Sequence, residues 1–324
     1  MKIKSLVITA YLLTTVTLLA QQKETSIVKL RGTRLTYPLV KKWIAEFSKE
    51  YPAIKVEIAP NAPADSIDFS IASYALTQKD LEGNREGVVV ARYVQLPVVN
   101  SDRPGLAELQ TRGFTEKNLN DLFFTTNAPD FVASSTSHTP LALYVRDRPV
   151  CAVKAFATHF GSDPKQLKGT GIKGDDQDLA EAVKNDVNGI SFNNLGFIYD
   201  VKTRKISKGL AVIPLDLNEN GKIDKDEQIY GTLDNVVEFI ERTHNPNFVN
   251  ETVNFIFNKD SKNTDAGVFL RWAFDKGQKF NHEFGFLTVN EKILKEQSEI
   301  VALTFTTGSS CEGANKLMSQ RKVK

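Results

Sequence analysis

From Ile27 onward, short apolar runs with strand patterning alternate with longer runs of helical period, which confines the chain to an α/β fold. Ile27 to Leu30 (IVKL), Ile54 to Ile58 (IKVEI) and Ile67 to Ala72 (IDFSIA) read as strands. Between the first two, Leu39, Trp43, Ile44 and Phe47 recur at helical spacing, so one face of that segment is apolar. Gly32 to Leu35 is a turn, Thr36 stands at the helix start, and Pro38 falls in the first turn, where a missing N–H costs little. Later helices are expected over Thr115 to Phe123, Val150 to Phe160, Asp178 to Asp186 and Ala266 to Lys276, and from Glu291 onward. Later strands are expected at Leu141 to Val145, Ile190 to Tyr199, Leu210 to Leu215, Val253 to Phe257 and Phe286 to Val289. Such alternation predicts mainly parallel sheets.

Val88 to Val99 (VVVARYVQLPVV) is one long extended stretch, and two extended stretches, near Tyr93 to Val99 and Val253 to Phe257 (VNFIF), flank a middle unit. They let the chain leave one lobe and return to it. The expected division is a discontinuous first lobe, 21–98 plus 252–324, and a second lobe, 99–251. A cleft between the lobes is then the natural place for a small solute. A chain of 324 residues, 41% hydrophobic, has enough apolar material for one large core or two medium ones.

The 41 basic and 39 acidic residues are interspersed and leave a net charge of +2. A nucleic-acid binder would concentrate its basic residues, and this chain does not. The N-terminus has a short basic start, Met1 to Lys4, an uncharged apolar run from Ser5 to Ala20, then polar Gln21-Gln22-Lys23-Glu24. That order reads as a secretory signal over 1–20, with an uncleaved anchor as the alternative. The expected location is periplasmic or otherwise extracytoplasmic, soluble after cleavage. Cys151 and Cys311 are the two cysteines, and both a disulfide and two separate thiols stay open.

Several stretches carry a family likeness. Gly32-Thr33-Arg34-Leu35-Thr36-Tyr37-Pro38, then Trp43, Phe47 and Tyr51-Pro52, resembles the opening of phosphate-type periplasmic substrate-binding proteins. Asp68 to Ser73 (DFSIAS), Thr115 to Phe123 and Asn188 to Phe192 (NGISF) are similar to later segments of that family. So are Phe269 to Phe274 (FLRWAF), Gly277-Gln278 and Phe284-Gly285-Phe286. The resemblance implies a two-lobed periplasmic-binding-protein type II fold with a central cleft and two interlobe crossings. It also implies an inorganic oxyanion ligand such as phosphate and delivery to an ABC-type membrane permease. A monomer that binds and does not catalyse is expected.

Backbone N–H groups at helix starts, hydroxyls and an arginine fork suit a tetrahedral anion. Thr36, Tyr37 and Arg146 match the family's anion contacts, with Ser70 and Ser73 at the end of the Asp68 strand and Arg34 and Arg148 as further basic candidates. Thr36 reads equally as a helix cap, and Arg146 equally as an ion-pair partner. Where the family has a Ser-Gly-Thr trio after its arginine, this chain has Val150-Cys151-Ala152, without a hydroxyl. Where the family has an aspartate that accepts a ligand proton, this chain has Ser73.

The segment 216–227 (DLNENGKIDKDE) fits a twelve-residue EF-hand loop. Asp216, Asn218 and Asn220 supply side-chain oxygens, Lys222 a carbonyl, Asp224 the ninth position and Glu227 a bidentate carboxylate. One structural Ca²⁺ is expected there, with a metal-free Asn/Gly turn as the alternative. No nucleophile elbow, phosphate-binding loop or His-Glu-x-x-His occurs, and His138, His159, His244 and His282 are scattered. The hydroxyl-rich run Ser134 to Thr139 is the one place where a secreted hydrolase reading finds material. A diverged, non-transporting binding or sensor module is the other alternative.

Overall fold

The computed structural model describes residues 27–125 and 141–305. The leader 1–20, the run 134–139 with His138, and Cys311 lie outside the described residues. The first strand–helix unit is β1 (Ile27–Gly32) followed by α1 (Tyr37–Glu50), whose Leu39, Val40, Trp43 and Phe47 are buried as their spacing requires. β2 (Lys55–Ile58) and β3 (Phe69–Ala72) lie parallel to β1 on either side. The long β4 (Arg85–Asn100) then leads to α2 (Leu106–Arg112) and α3 (Glu116–Phe124), the latter closed at its start by a Thr115–Asn118 capping box.

β5 (Ala142–Arg146), α4 (Cys151–His159), β6 (Thr170–Ile172), α5 (Asp176–Lys184) and β7 (Gly189–Asn194) form a second α/β unit with β5 between parallel β6 and β7. α6 (Leu195–Ile198), β8 (Leu210–Val212) and α7 (Leu233–Thr243) precede the returning strand β9 (Val249–Asn258). α8 (Thr264–Trp272), β10 (Phe286–Leu287) and α9 (Glu291–Phe305) complete the described chain.

The sheet order is β2-β1-β3-β9-β4-β7-β5-β6, with β8 and β10 also paired to β4. The sheet is mixed, which corrects the expectation of mainly parallel pairing. β9 runs antiparallel to both β3 and β4, and β4 is antiparallel to β7, β8 and β10. The cause is the pair of crossings: β4 and β9 carry the chain in opposite directions, from Arg85 opposite Asn258 to Gln95 opposite Val249. Another correction concerns Ile190 to Tyr199, where the strand stops at Asn194 and α6 follows.

Two hydrophobic cores result. One gathers Trp43, Phe47, Phe69, Phe255 and Phe269, and the other Phe114, Phe123, Phe156, Phe192 and Phe248. β4 serves both, with Val88 to Tyr93 packing in the first and Val94 to Val99 in the second. The two cores give the chain two lobes, and the cleft opens between them.

Candidate functional site

The cleft has a volume of about 550 Å³ and is lined from both lobes. Gly32, Thr33, Arg34, Leu35 and Ile71 form one wall. Arg146, the run from Arg148 to Ala152, and Gly174 to Asp176 form the other. Gly32 adopts φ +156° as the chain passes Ile71, where an added Cβ would lie 2.1 Å from the Ile71 carbonyl oxygen. That close approach lets β1 turn directly into the 3₁₀ segment Arg34–Thr36, which runs on into α1. The helical segment therefore starts at the cleft. On the opposite wall α4 starts at Cys151, and its N-cap Val150 offers no side-chain acceptor to the first N–H groups. Two helix starts thus face the same space, an arrangement that favours an anion.

Arg146 ends β5 on the second wall, with only 7% of its surface exposed. One terminal nitrogen, Nη2, donates to the Gly174 carbonyl. Its Nε and Nη1 are buried without a hydrogen-bond partner. Buried guanidinium donors of this kind are costly unless something accepts from them. Arg34 reaches across from the first lobe: Nη2 donates to the same Gly174 carbonyl at 2.8 Å, and Nη1 lies 3.7 Å from the Asp175 carboxylate. Gly174 holds φ +110°, and an added Cβ there would collide with the Asp178 carboxylate. Arg148 is at the open rim, with 71% of its side chain exposed and its Nε 3.5 Å from Asp147.

Arg34, Arg146 and Arg148 thus line one cleft. The hydroxyl candidates are placed otherwise. Thr36 is buried and donates to the Thr33 carbonyl at 2.8 Å, so its hydroxyl is used within the turn. Tyr37 donates to the Gly32 carbonyl at 3.3 Å. Ser70 is exposed on β3, opposite Arg31 and Ile256. Ser73 is fully buried; its hydroxyl donates to Thr33 Oγ1 at 3.3 Å and its carbonyl accepts from Tyr93 at 2.8 Å. None of these four residues lines the cleft.

The sequence reading passed over Gly174, Asp175 and Asp176. It started α5 at Asp178, two residues late. The Asp175 carboxylate accepts the Gln177 N–H at 3.1 Å and caps the helix earlier, which sets Asp176 in the cleft wall. Burial pushes the Asp176 carboxyl up to about 6, against the pull of Arg146 and Arg34 and with the help of Asp175. An acidic pair at a helix start reads from sequence as capping alone, which is why it gave no signal of a site.

The 216–227 loop lies away from this cleft. Asp216 accepts from the N–H groups of Asn220 and Gly221, and Glu227 from those of Leu217 and Asp224. Asn218 and Asn220 each donate to Asp224, and Lys222 Nζ lies 3.1 Å from it. Asp216 and Glu227 are 2% and 3% exposed, and neither is paired with a lysine or arginine among the described residues. No three His, Cys, Asp or Glu side chains converge as a metal cluster among the described residues. A cation there would draw also on the Asn218 and Asn220 carboxamides and the Lys222 carbonyl.

No family model matches the sequence, and no curated protein matches it. Solved structures do. A candidate phosphate ABC transporter substrate-binding protein from Clostridium perfringens, with bound phosphate, has a TM-score of 0.62 and 13% identity, covering 82% of this chain and 100% of that one. An ABC-type phosphate transport receptor from Vibrio cholerae has a TM-score of 0.57 and 12% identity, covering 81% and 100%. PstS from Borrelia burgdorferi has a TM-score of 0.52 and 15% identity, covering 82% and 99%. At these identities the likeness is one of fold: this chain has the two-lobed α/β architecture of the phosphate-binding receptors it resembles.

Proposed function

We propose that this chain is an extracytoplasmic solute-binding protein that holds phosphate or a related oxyanion between its lobes and delivers it to an ABC-type permease. The observation that carries this reading is Arg146, a buried guanidinium with two unpartnered donor atoms in a cleft where two helix starts meet. Among the described residues no helix is long and apolar enough to cross a membrane. Calorimetric titration with phosphate, sulfate and molybdate tests the reading. Saturable heat at micromolar concentration is expected. A flat titration of folded protein overturns it.

One observation favours a second reading, a non-transporting sensor module on the same fold. Val150, Cys151 and Ala152 line the cleft where the resemblance implies hydroxyls, and Thr36 and Ser73 turn theirs elsewhere. Recovery of a transmembrane partner by a protein that gives no anion heat supports that reading.

The 216–227 loop is proposed to bind one structural Ca²⁺, because Asp216 and Glu227 are buried carboxylates without a basic partner among the described residues. Calcium should raise the melting temperature of the wild type, and Glu227→Ala should remove that rise. A wild type indifferent to calcium and to chelator leaves the loop a metal-free turn.

A further inference from the structure

A thiol stands on the cleft wall. Cys151 is the first residue of α4 and lines the second wall with Arg146, Arg148 and Asp176. Its side chain is partly exposed and in no disulfide among the described residues. One turn along α4, Lys154 Nζ lies 4.8 Å over the ring of Tyr74, on the segment that follows β3, so the start of α4 meets the first lobe. The independent sign that this wall takes an anion is Arg146, 7% exposed, whose Nε and Nη1 are buried without a partner. Asp176 opposes a further negative charge here, while Arg146, Arg148 and the first N–H groups of α4 favour one.

Cysteine oxidation is selective for partly exposed thiols in electropositive surroundings. We propose that Cys151 is a peroxide-sensitive stop for the cleft: its oxidation by hydrogen peroxide supplies a fixed sulfinate that takes the place of the bound oxyanion. The sulfur attacks one peroxide oxygen, and the O–O bond breaks as the S–O bond forms. The leaving hydroxide takes the thiol proton and departs as water, so sulfur loses two electrons and peroxide gains them. A second peroxide converts the sulfenic acid to sulfinic acid in the same way and again releases water. The acid ionises and brings two negative oxygens onto the wall that Arg146 shares. An anion already in the cleft satisfies Arg146 and covers the thiol, so the empty receptor is the form that oxidises. This inference rests on the oxyanion reading given above.

The test treats the purified protein with hydrogen peroxide, with and without saturating inorganic phosphate, and reads Cys151 by peptide mass mapping under non-reducing conditions. Two added oxygens on Cys151 are expected, gained about tenfold more slowly when phosphate is present. Calorimetry should then find phosphate affinity lower by about 100-fold or more, because like charges meet in one desolvated space. Cys151→Ser should bind phosphate equally before and after peroxide. Cys151→Asp, which carries a standing carboxylate, should be as weak without peroxide as the oxidised wild type. No oxygen on Cys151, a native disulfide between Cys151 and Cys311, or an oxidised protein of unchanged affinity overturns the inference and leaves the oxyanion reading standing. So does oxidation at the same rate with and without phosphate, or full affinity in folded Cys151→Asp. If that variant does not fold, oxidised wild type against peroxide-treated Cys151→Ser decides. No phosphate heat from the reduced, folded wild type overturns the oxyanion reading itself, and this inference with it.

Discussion

The cleft and the contact between α7 and the C-terminal segment both gather charged side chains, yet they treat them in opposite ways. At the α7 contact Glu241, His282, Arg204 and Asp234 all find partners. The Glu241 carboxylate accepts from the Thr288 N–H and hydroxyl, both at 2.7 Å, and lies 3.0 Å from His282 Nε2. Arg204 grips Asp234 with two nitrogens and donates to the carbonyls of His282 and Glu283. Burial pushes the Glu241 carboxyl up, but these hydrogen bonds prevail and bring it down to about 2. In the cleft, Arg146 keeps two donors unpartnered, and burial drives Asp176 the other way. A saturated cluster holds segments together. An unsaturated one holds binding capacity in reserve, at a cost to stability.

The largest expected effect tests the cleft side of this contrast. Arg146→Ala removes two charge-assisted bonds of roughly 1.5–3 kcal/mol each, so anion affinity should fall by about 100-fold or more with the fold retained. Calorimetry alongside thermal unfolding checks both halves. Unchanged affinity would place the anion elsewhere.

Stability gives the next effect, and its sign is opposite to that of most buried substitutions. The Asp176 carboxyl titrates at about 6 in the fold against an ordinary 3.8, so its charge penalises the folded state above about pH 6. Asp176→Asn should therefore stabilise the protein at pH 7.5 by up to about 3 kcal/mol, with the difference fading below about pH 4. Urea unfolding at the two pH values measures it. Equal stability at pH 7.5 would mean Asp176 is compensated as fully as Glu241, and the contrast would break.

Glu241→Gln should have the smallest effect, a loss of about 1–2 kcal/mol at pH 7 with anion affinity unchanged. Because the folded carboxyl is depressed, its contribution is present above about pH 4.5 and is lost as pH falls toward 2. Denaturant melts across that range follow the loss. A change in anion affinity would show that the two clusters are coupled.

Much of the architecture was legible in the sequence. The helical spacing of Trp43 and Phe47 located α1, and Thr115 marked the start of the helix that became α3, because both signals are local. The two extended stretches became β4 and β9. α2 and α7 had no place in that reading although both formed. The site was less legible. Its three arginines were named, but Thr36 and Ser73 are hydroxyls whose partners, the Thr33 carbonyl and Thr33 Oγ1, exist only once the turn has closed.

By itself, then, the sequence determined an α/β chain with two crossings and a set of basic residues near strand and helix ends, since periodicity and capping act within a few residues. Tertiary structure decided that the sheet is mixed, that Arg34 meets Gly174 across 140 positions, and that Asp176 shares a buried wall with Arg146. Burial and partnership of a charged group depend on what the rest of the chain folds against it, and no local pattern encodes that.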